Sequence, residues 1–252
     1  MDLFKDLFFI NSTTSKKALR SFSKNWTIVF TGFAYTLLNI VIFNLINLLF
    51  RGVLGILAGF AAAIVTSSLI SNYLYLLYNI IKYDNFTFED FKEGFSHFLW
   101  KVYGVFFIAW LLSFFFGGLG DLFSESVTRI NMIINILIII IFNPLPEIIY
   151  QKGLSPWESI TYSFNFMKEN WFNWLLPNAI FFFIIYKFTG NMLTNIFATH
   201  LSYNFDISLI GILKYLIGQV LFSFIMIYRG FLFEILSTST RRKRSYMKKF
   251  YD

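Results

Sequence analysis

Between Lys24 and Lys82 the chain carries one charged residue, Arg51, near the middle of a long apolar interval. An α-helix rises about 1.5 Å per residue and about 20 apolar residues cross a bilayer, so this interval holds two crossings rather than one. It predicts helices over roughly 26–50 and 53–81, turning tightly near Arg51. A third uncharged run lies between Lys101 and Asp121, a fourth between Arg129 and Glu147, and a fifth opens at Trp171 and runs toward Lys187. A sixth, within 207–236, is interrupted by Lys214 and Arg229, which are expected to snorkel from helix ends toward the headgroups. The predicted fold is therefore all-α, a polytopic membrane bundle of about six helices. Composition agrees: with 57% hydrophobic residues, 14% charged and a mean hydropathy of +0.62, too little polar surface exists for a water-soluble domain.

The basic residues give the direction of crossing. One side collects Lys5, Lys16, Lys17, Arg20 and Lys24, then Lys82, Lys92 and Lys101, then Lys152 and Lys168, then Arg229 and the tail. That is seventeen of the 21 Lys and Arg residues. The other side keeps Arg51, Arg129, Lys187 and Lys214. By the positive-inside rule both termini and two connections face the cytoplasm. The first apolar stretch is far longer than a signal-peptide core, so it is read as a retained span.

The cytoplasmic segments share a plan: a polar helix start, an amphipathic stretch, then a Trp at the entry to an apolar run. Ser21-Phe22 followed by Asn25-Trp26 matches Ser163-Phe164 followed by Asn170-Trp171, and the middle copy runs from Thr87 to Trp100. The three tryptophans lie 74 and 71 positions apart. This predicts three repeats, over 12–81, 87–150 and 155–236, each an interfacial helix plus a two-helix hairpin, with a basic cytoplasmic tail over 237–252. Ser155, Pro156 and Glu158 form a capping box with Pro at the first helical position, and Thr87 with Asp90 is a weaker version. Trp157, Ile160, Phe164 and Met167 then fall close to one helix face, as an interfacial helix requires.

Gly153-Leu-Ser-Pro-Trp-Glu-Ser-Ile-Thr-Tyr-Ser163 leading to Asn170-Trp171, together with its Ser21 to Trp26 counterpart, resembles a broad group of bacterial and archaeal six-span proteins. That group includes the membrane domain attached to some glycerophosphodiester phosphodiesterases. The resemblance covers the repeat plan and no site, and the soluble phosphodiesterase barrel of the fusion proteins has no counterpart here. It implies a prokaryotic cell-membrane module with an accessory or regulatory role.

Few polar groups are available to carry function. With no cysteine and only two histidines, His97 and His200, thiol chemistry is excluded, and no cofactor or metal site is predicted. Gly55, Gly59, Ala63, Ser67 and Ser71 recur every four residues and predict a packing ridge, its partner another helix of the same chain or a second copy. A large residue at Gly59 is expected to disrupt folding or assembly. Asn39, Asn44, Asn47, Asn72, Asn79, Asn135 and Asn143 are expected to face the bundle interior, as interhelical hydrogen bonds or as the lining of a hydrated path.

The sharpest candidate is Asn143-Pro144-Leu-Pro146-Glu147. The two prolines should open the fourth helix by stripping donors from the carbonyls of Ile140 and Phe142. Glu147 would then bind a cation or proton beside exposed carbonyls or, more ordinarily, lie in water at a helix end. Glu234 sits late in the sixth span, and Arg229 could pair with it across about one turn. Pro177 should bend the fifth helix. The tail cluster Arg241, Arg242, Lys243, Arg244, Lys248 and Lys249 is expected to hold anionic headgroups, at about 1 kcal/mol per charge, rather than nucleic acid.

No metalloprotease motif, nucleophile elbow or phosphate-binding glycine loop is present, so no catalytic residue is predicted. The reading that needs least is an accessory, regulatory or scaffold module with a membrane-protein partner. The alternative is a transporter or channel for a small solute or ion around Glu147, and a more remote one is an intramembrane or lipid-modifying enzyme.

Overall fold

The computed structural model describes residues 3–120, 126–190, 193, 195–201 and 208–239. Every described element is helical: α1 (Leu3–Lys24), α2 (Thr31–Leu49), α3 (Gly55–Tyr83), α4 (Phe88–His97), α5 (Leu99–Gly120), α6 (Ser126–Ile141), α7 (Leu145–Lys152), α8 (Pro156–Thr189) and α9 (Leu209–Thr238). Short 3-10 turns at Trp26–Phe30 and Gly52–Leu54 precede α2 and α3.

Among the described residues, five stretches are long and apolar enough to cross a membrane: Trp26–Leu49, Leu57–Tyr83, Phe88–Phe114, Ile133–Lys152 and Leu209–Thr238. The interrupted sixth run thus becomes α9, one continuous 30-residue helix. The fifth run lies in α8 and is not among the five, because Asn173, Pro177, Asn178 and Lys187 dilute its apolar character. The expected bend is not a break, since α8 runs through Pro177 for 34 residues. It also joins the amphipathic stretch after Ser155 directly to the apolar run, where the repeat plan expects a separate interfacial helix.

Both predicted helix starts are complete. The Ser155 hydroxyl accepts from the Glu158 N–H at 3.4 Å, and the Glu158 carboxylate accepts from the Ser155 N–H at 3.0 Å. These bonds, the backbone one foremost, hold the exposed Glu158 carboxyl below its ordinary range. Thr87 and Asp90 make the same reciprocal pair. α7 and α8 end at Gly153 and Gly190, both with positive φ as a left-handed C-cap requires.

The core is assembled from α3, α7 and α9, with Tyr73, Leu77 and Ile80 meeting Ile148, Ile149, Phe231 and Phe233. α1 lies across α9: Lys17 bonds Glu234 at 2.8 Å, Asn11 accepts from the Tyr228 hydroxyl, and Phe22 packs edge-on against Phe224. Lys24 pairs with Asp84, which caps α3 in a left-handed conformation. Phe4 and Phe8 on α1, Trp26, Trp100 and Trp157 at helix entries, and Trp171 midway along α8 project outward.

The ridge of small residues divides. Ser67 and Ser71 are buried, and the Ser71 hydroxyl donates to the Gly94 carbonyl and accepts from the Phe98 N–H, both at 2.7 Å. A Cβ at Gly94 would meet the Asn72 backbone at 3.1 Å, so α4 sits almost directly on α3. Ala63 is half-buried. At Gly55 and Gly59, by contrast, a Cβ would meet nothing within 4 Å, so among the described residues nothing packs on those two positions. α4 is only ten residues long and covers one end of α3, so within the chain the ridge is packed at the Ser67 and Ser71 end.

Candidate functional site

The Pro144/Pro146 segment breaks the helix as expected. α6 ends at Ile141 and α7 begins at Leu145, with Pro144 at its N-cap and Pro146 in its first turn. The carbonyls the prolines strip are not left open, however. Phe142 O accepts from Leu145 N at 3.0 Å and Ile140 O from Asn143 N at 3.4 Å. Ile141 O takes the Ser163 hydroxyl at 2.8 Å.

Glu147 stands in the first turn of α7, where the helix dipole favours a carboxylate. It is neither in water nor beside bare carbonyls. Arg229 donates from Nε to its Oε1 at 2.7 Å and from Nη2 to its Oε2 at 3.0 Å, and both side chains are 2% exposed. Nη2 also donates to the Asn143 carbonyl at 2.7 Å. Asn143 in turn accepts on Oδ1 from the Trp174 indole at 2.9 Å, and the Trp174 ring lies 5.3 Å from the guanidinium, with the Phe182 ring at 5.8 Å on another side. A buried guanidinium surrounded by a carboxylate, a carbonyl and aromatic faces meets the conditions under which charge is retained away from water.

Three of the four candidate polar residues thus converge, and two expectations are corrected. Arg229 does not snorkel, and it does not pair with Glu234 on its own helix. Glu234 points to the other side of α9 and binds Lys17 on the surface. The sequence hint to the true partner was the break in α6–α7, which turns Glu147 inward. Trp174 was missed, since nothing local separates it from the exposed Trp171. The asparagines disperse as well: Asn72, Asn79 and Asn143 are buried and Asn39 half-buried, while Asn44, Asn47 and Asn135 are exposed. Asn72 is used in packing, accepting from the Tyr35 hydroxyl at 2.5 Å and donating to the Phe91 carbonyl. The basic cluster from Arg241 to Lys249 lies outside the described residues.

A cavity of about 310 Å³ adjoins the ion pair. Its inner wall is Arg229, Asn143, Asn178 and Met226, and its rim includes the exposed Ile139, Ala179 and Asn195. One wall is a segment no sequence pattern flagged. Leu193, Asn195, Ile196 and Ala198 belong to neither helix nor strand, yet line the cavity with Met226 and Arg229 from the interior of α9. Leu201, 1% exposed, would touch a Cβ at Gly218, and its carbonyl accepts from Gln219 Nε2 at 3.2 Å. From Gly218 to Met226 is roughly 12 Å of helix rise, so the segment folds back into the bundle by about that depth. Irregular backbone at such depth is tolerated where protein covers it or a cavity borders it, and here both hold.

Among known proteins, the chain matches no family model, no curated protein and no solved structure. Four of the residues behind the resemblance to six-span proteins have local structural duties. Gly153 ends α7, Ser155 and Glu158 start α8, and Ser163 caps the Ile141 carbonyl.

Proposed function

We propose that the protein is a six-span cell-membrane module with cytoplasmic termini, built from three repeated hairpins with α8 supplying the fifth crossing. Its role is accessory, regulatory or scaffolding and not catalytic. The observation that carries this reading is the closure of the Glu147–Arg229 pair. Glu147, buried at the helix break, has both oxygens committed to a guanidinium and serves the architecture. The exposed aromatic and basic side chains of α1, Phe4, Lys5, Phe8 and Lys16, offer a surface for anionic lipid and for a membrane-protein partner.

The test is purification from native membranes after mild cross-linking. A stoichiometric membrane-protein partner is expected, and it should be lost in a Phe8→Glu, Trp157→Ser double variant that still elutes as a single folded species. Saturable flux of a solute or ion through liposomes containing the purified protein alone would overturn the reading.

A transporter is the second reading. The meeting of a broken helix and a non-helical segment at one cavity favours it, since interrupted helices build substrate sites in transporters.

A further inference from the structure

The cavity beside the ion pair has a polar inner end with two unmet hydrogen-bonding demands. Arg229 spends Nε and Nη2 on Glu147 and Asn143, and Nη1 has no hydrogen-bond partner among the described residues. Asn178 is 2% exposed and donates from Nδ2 to the Trp174 carbonyl at 2.7 Å. That bond fixes the amide orientation, because a flip would set two acceptors against each other. Its Oδ1 is buried and has no partner among the described residues. One group asks for an acceptor and the other for a donor, and a demand left unmet as deeply as that of Asn178 Oδ1 costs stability.

The outer end is different. Ile139 and Ala179 are exposed on the flanks of α6 and α8, and Ile133, Ile134, Ile136, Leu137 and Ile138 continue the exposed apolar surface of α6 away from the rim. In a bilayer that flank faces acyl chains, so the cavity opens sideways into lipid.

Charge decides the head that fits. Glu147 already neutralises Arg229, and among the described residues no lysine or second arginine lines the cavity. An anionic head would therefore enter as an uncompensated buried charge, which a low-polarity site resists. A hydroxyl or primary carboxamide supplies both an acceptor and a donor at no charge.

We propose that this cavity binds a single-chain lipid head-first, with a small uncharged hydroxyl or carboxamide head between Arg229 and Asn178 and the alkyl tail leaving past Ile139 and Ala179 into the bilayer. The site is independent of whether the protein has a partner. Its occupant completes the hydrogen bonding that the protein leaves unmet, with Leu193, Asn195, Ile196 and Ala198 as one wall of the site.

The test uses the full chain in liposomes with hexadecan-1-ol carrying a mid-chain diazirine and a terminal alkyne, and adducts mapped by mass spectrometry. Adducts should concentrate on α6 and α8 around Ile139, Ala179 and Phe182 and saturate with probe. Unlabelled hexadecan-1-ol or hexadecanamide should suppress them about tenfold, and hexadecyl phosphate by less than about twofold. Ala179→Trp should abolish the saturable adducts by closing the mouth, and Asn178→Leu should weaken competition by hexadecanamide about tenfold. If the Ala179→Trp protein fails to elute as a single species, Ala198→Leu closes the cavity from the opposite wall. Labelling that never saturates and spreads evenly over the exposed apolar residues of α2 and α5 would overturn the proposal. So would adducts that persist in the closed variant, or equal competition by the phosphate.

Discussion

The two ends of α3 meet different surroundings. From Ser67 to Tyr83 the helix is clasped by α4, α5, α7 and α9 through short polar contacts, with Ser71 bonded to Gly94 and Phe98, and Asn72 to Tyr35 and Phe91. From Gly55 to Ile64, Leu57, Phe60 and Ile64 look outward and the two glycines face open space. Between helices in lipid there is no hydrophobic driving force, so association needs close backbone approach and hydrogen bonds. The end of α3 that supplies both is packed. The other end has the small residues alone, and small residues permit an approach without compelling one.

Substitutions at the two ends should therefore differ widely. The largest effect is expected at the ion pair that locks the packed end: Glu147→Gln leaves a buried guanidinium unpaired and should cost roughly 3–5 kcal/mol in unfolding from detergent micelles. The Glu147→Leu, Arg229→Met double variant should recover most of that loss; a single variant as stable as the parent would remove the pair from the account. Next comes Gly94→Leu, whose side chain collides with the Asn72 backbone and should cost about 1–3 kcal/mol by the same measurement.

A smaller effect belongs to the exposed Lys24–Asp84 edge of the bundle. Hydrogen bonding from the Lys24 ammonium holds the Asp84 carboxyl below its ordinary range. A depressed carboxyl contributes stability that is complete above the unfolded value near 3.9 and is lost as pH falls through the lower folded value. The pair is more than a third exposed, so solvent screening keeps the contribution under about 1 kcal/mol. A titration from about pH 6 to about pH 3 should show an extra loss in the parent relative to Asp84→Asn.

The smallest change is expected for Gly59→Leu, within about 0.5 kcal/mol for the folded chain, against the disruption that the four-residue repeat alone predicts. Mass measurement in detergent sharpens the comparison. A drop in oligomeric mass in this variant alone would assign the open end of α3 to contact with a second copy.

What the residues reveal in advance follows from the range over which their physics acts. Capping boxes at Ser155 and Thr87, the turn at Arg51 and the break at Pro144 are set by neighbours within four residues, and the structure has all of them. The charge interruptions that cast doubt on the sixth run misled, because the partner that makes Arg229 admissible inside the protein is 82 positions away. The fifth run carries no charge before Lys187, yet its asparagines and Pro177 make α8 less apolar than the five candidate spans. The pairing of Arg229 with Glu147, the burial of Trp174 and the path of the Leu193–Leu201 wall are decided by tertiary packing, which leaves no periodic trace.

That wall also constrains the order of assembly. Its contacts lie on both sides of it in the chain: Phe197 packs edge-on against Phe106 of α5 and His200 lies beside Tyr35 of α2, while Leu201 meets Gly218 and Gln219 of α9. α2 and α5 leave the ribosome before the wall and α9 after it, so only part of its seat exists when it is made. It can settle finally only after α9 has arrived, so one of the last pieces of this bundle to become ordered sits in its middle and not at its end.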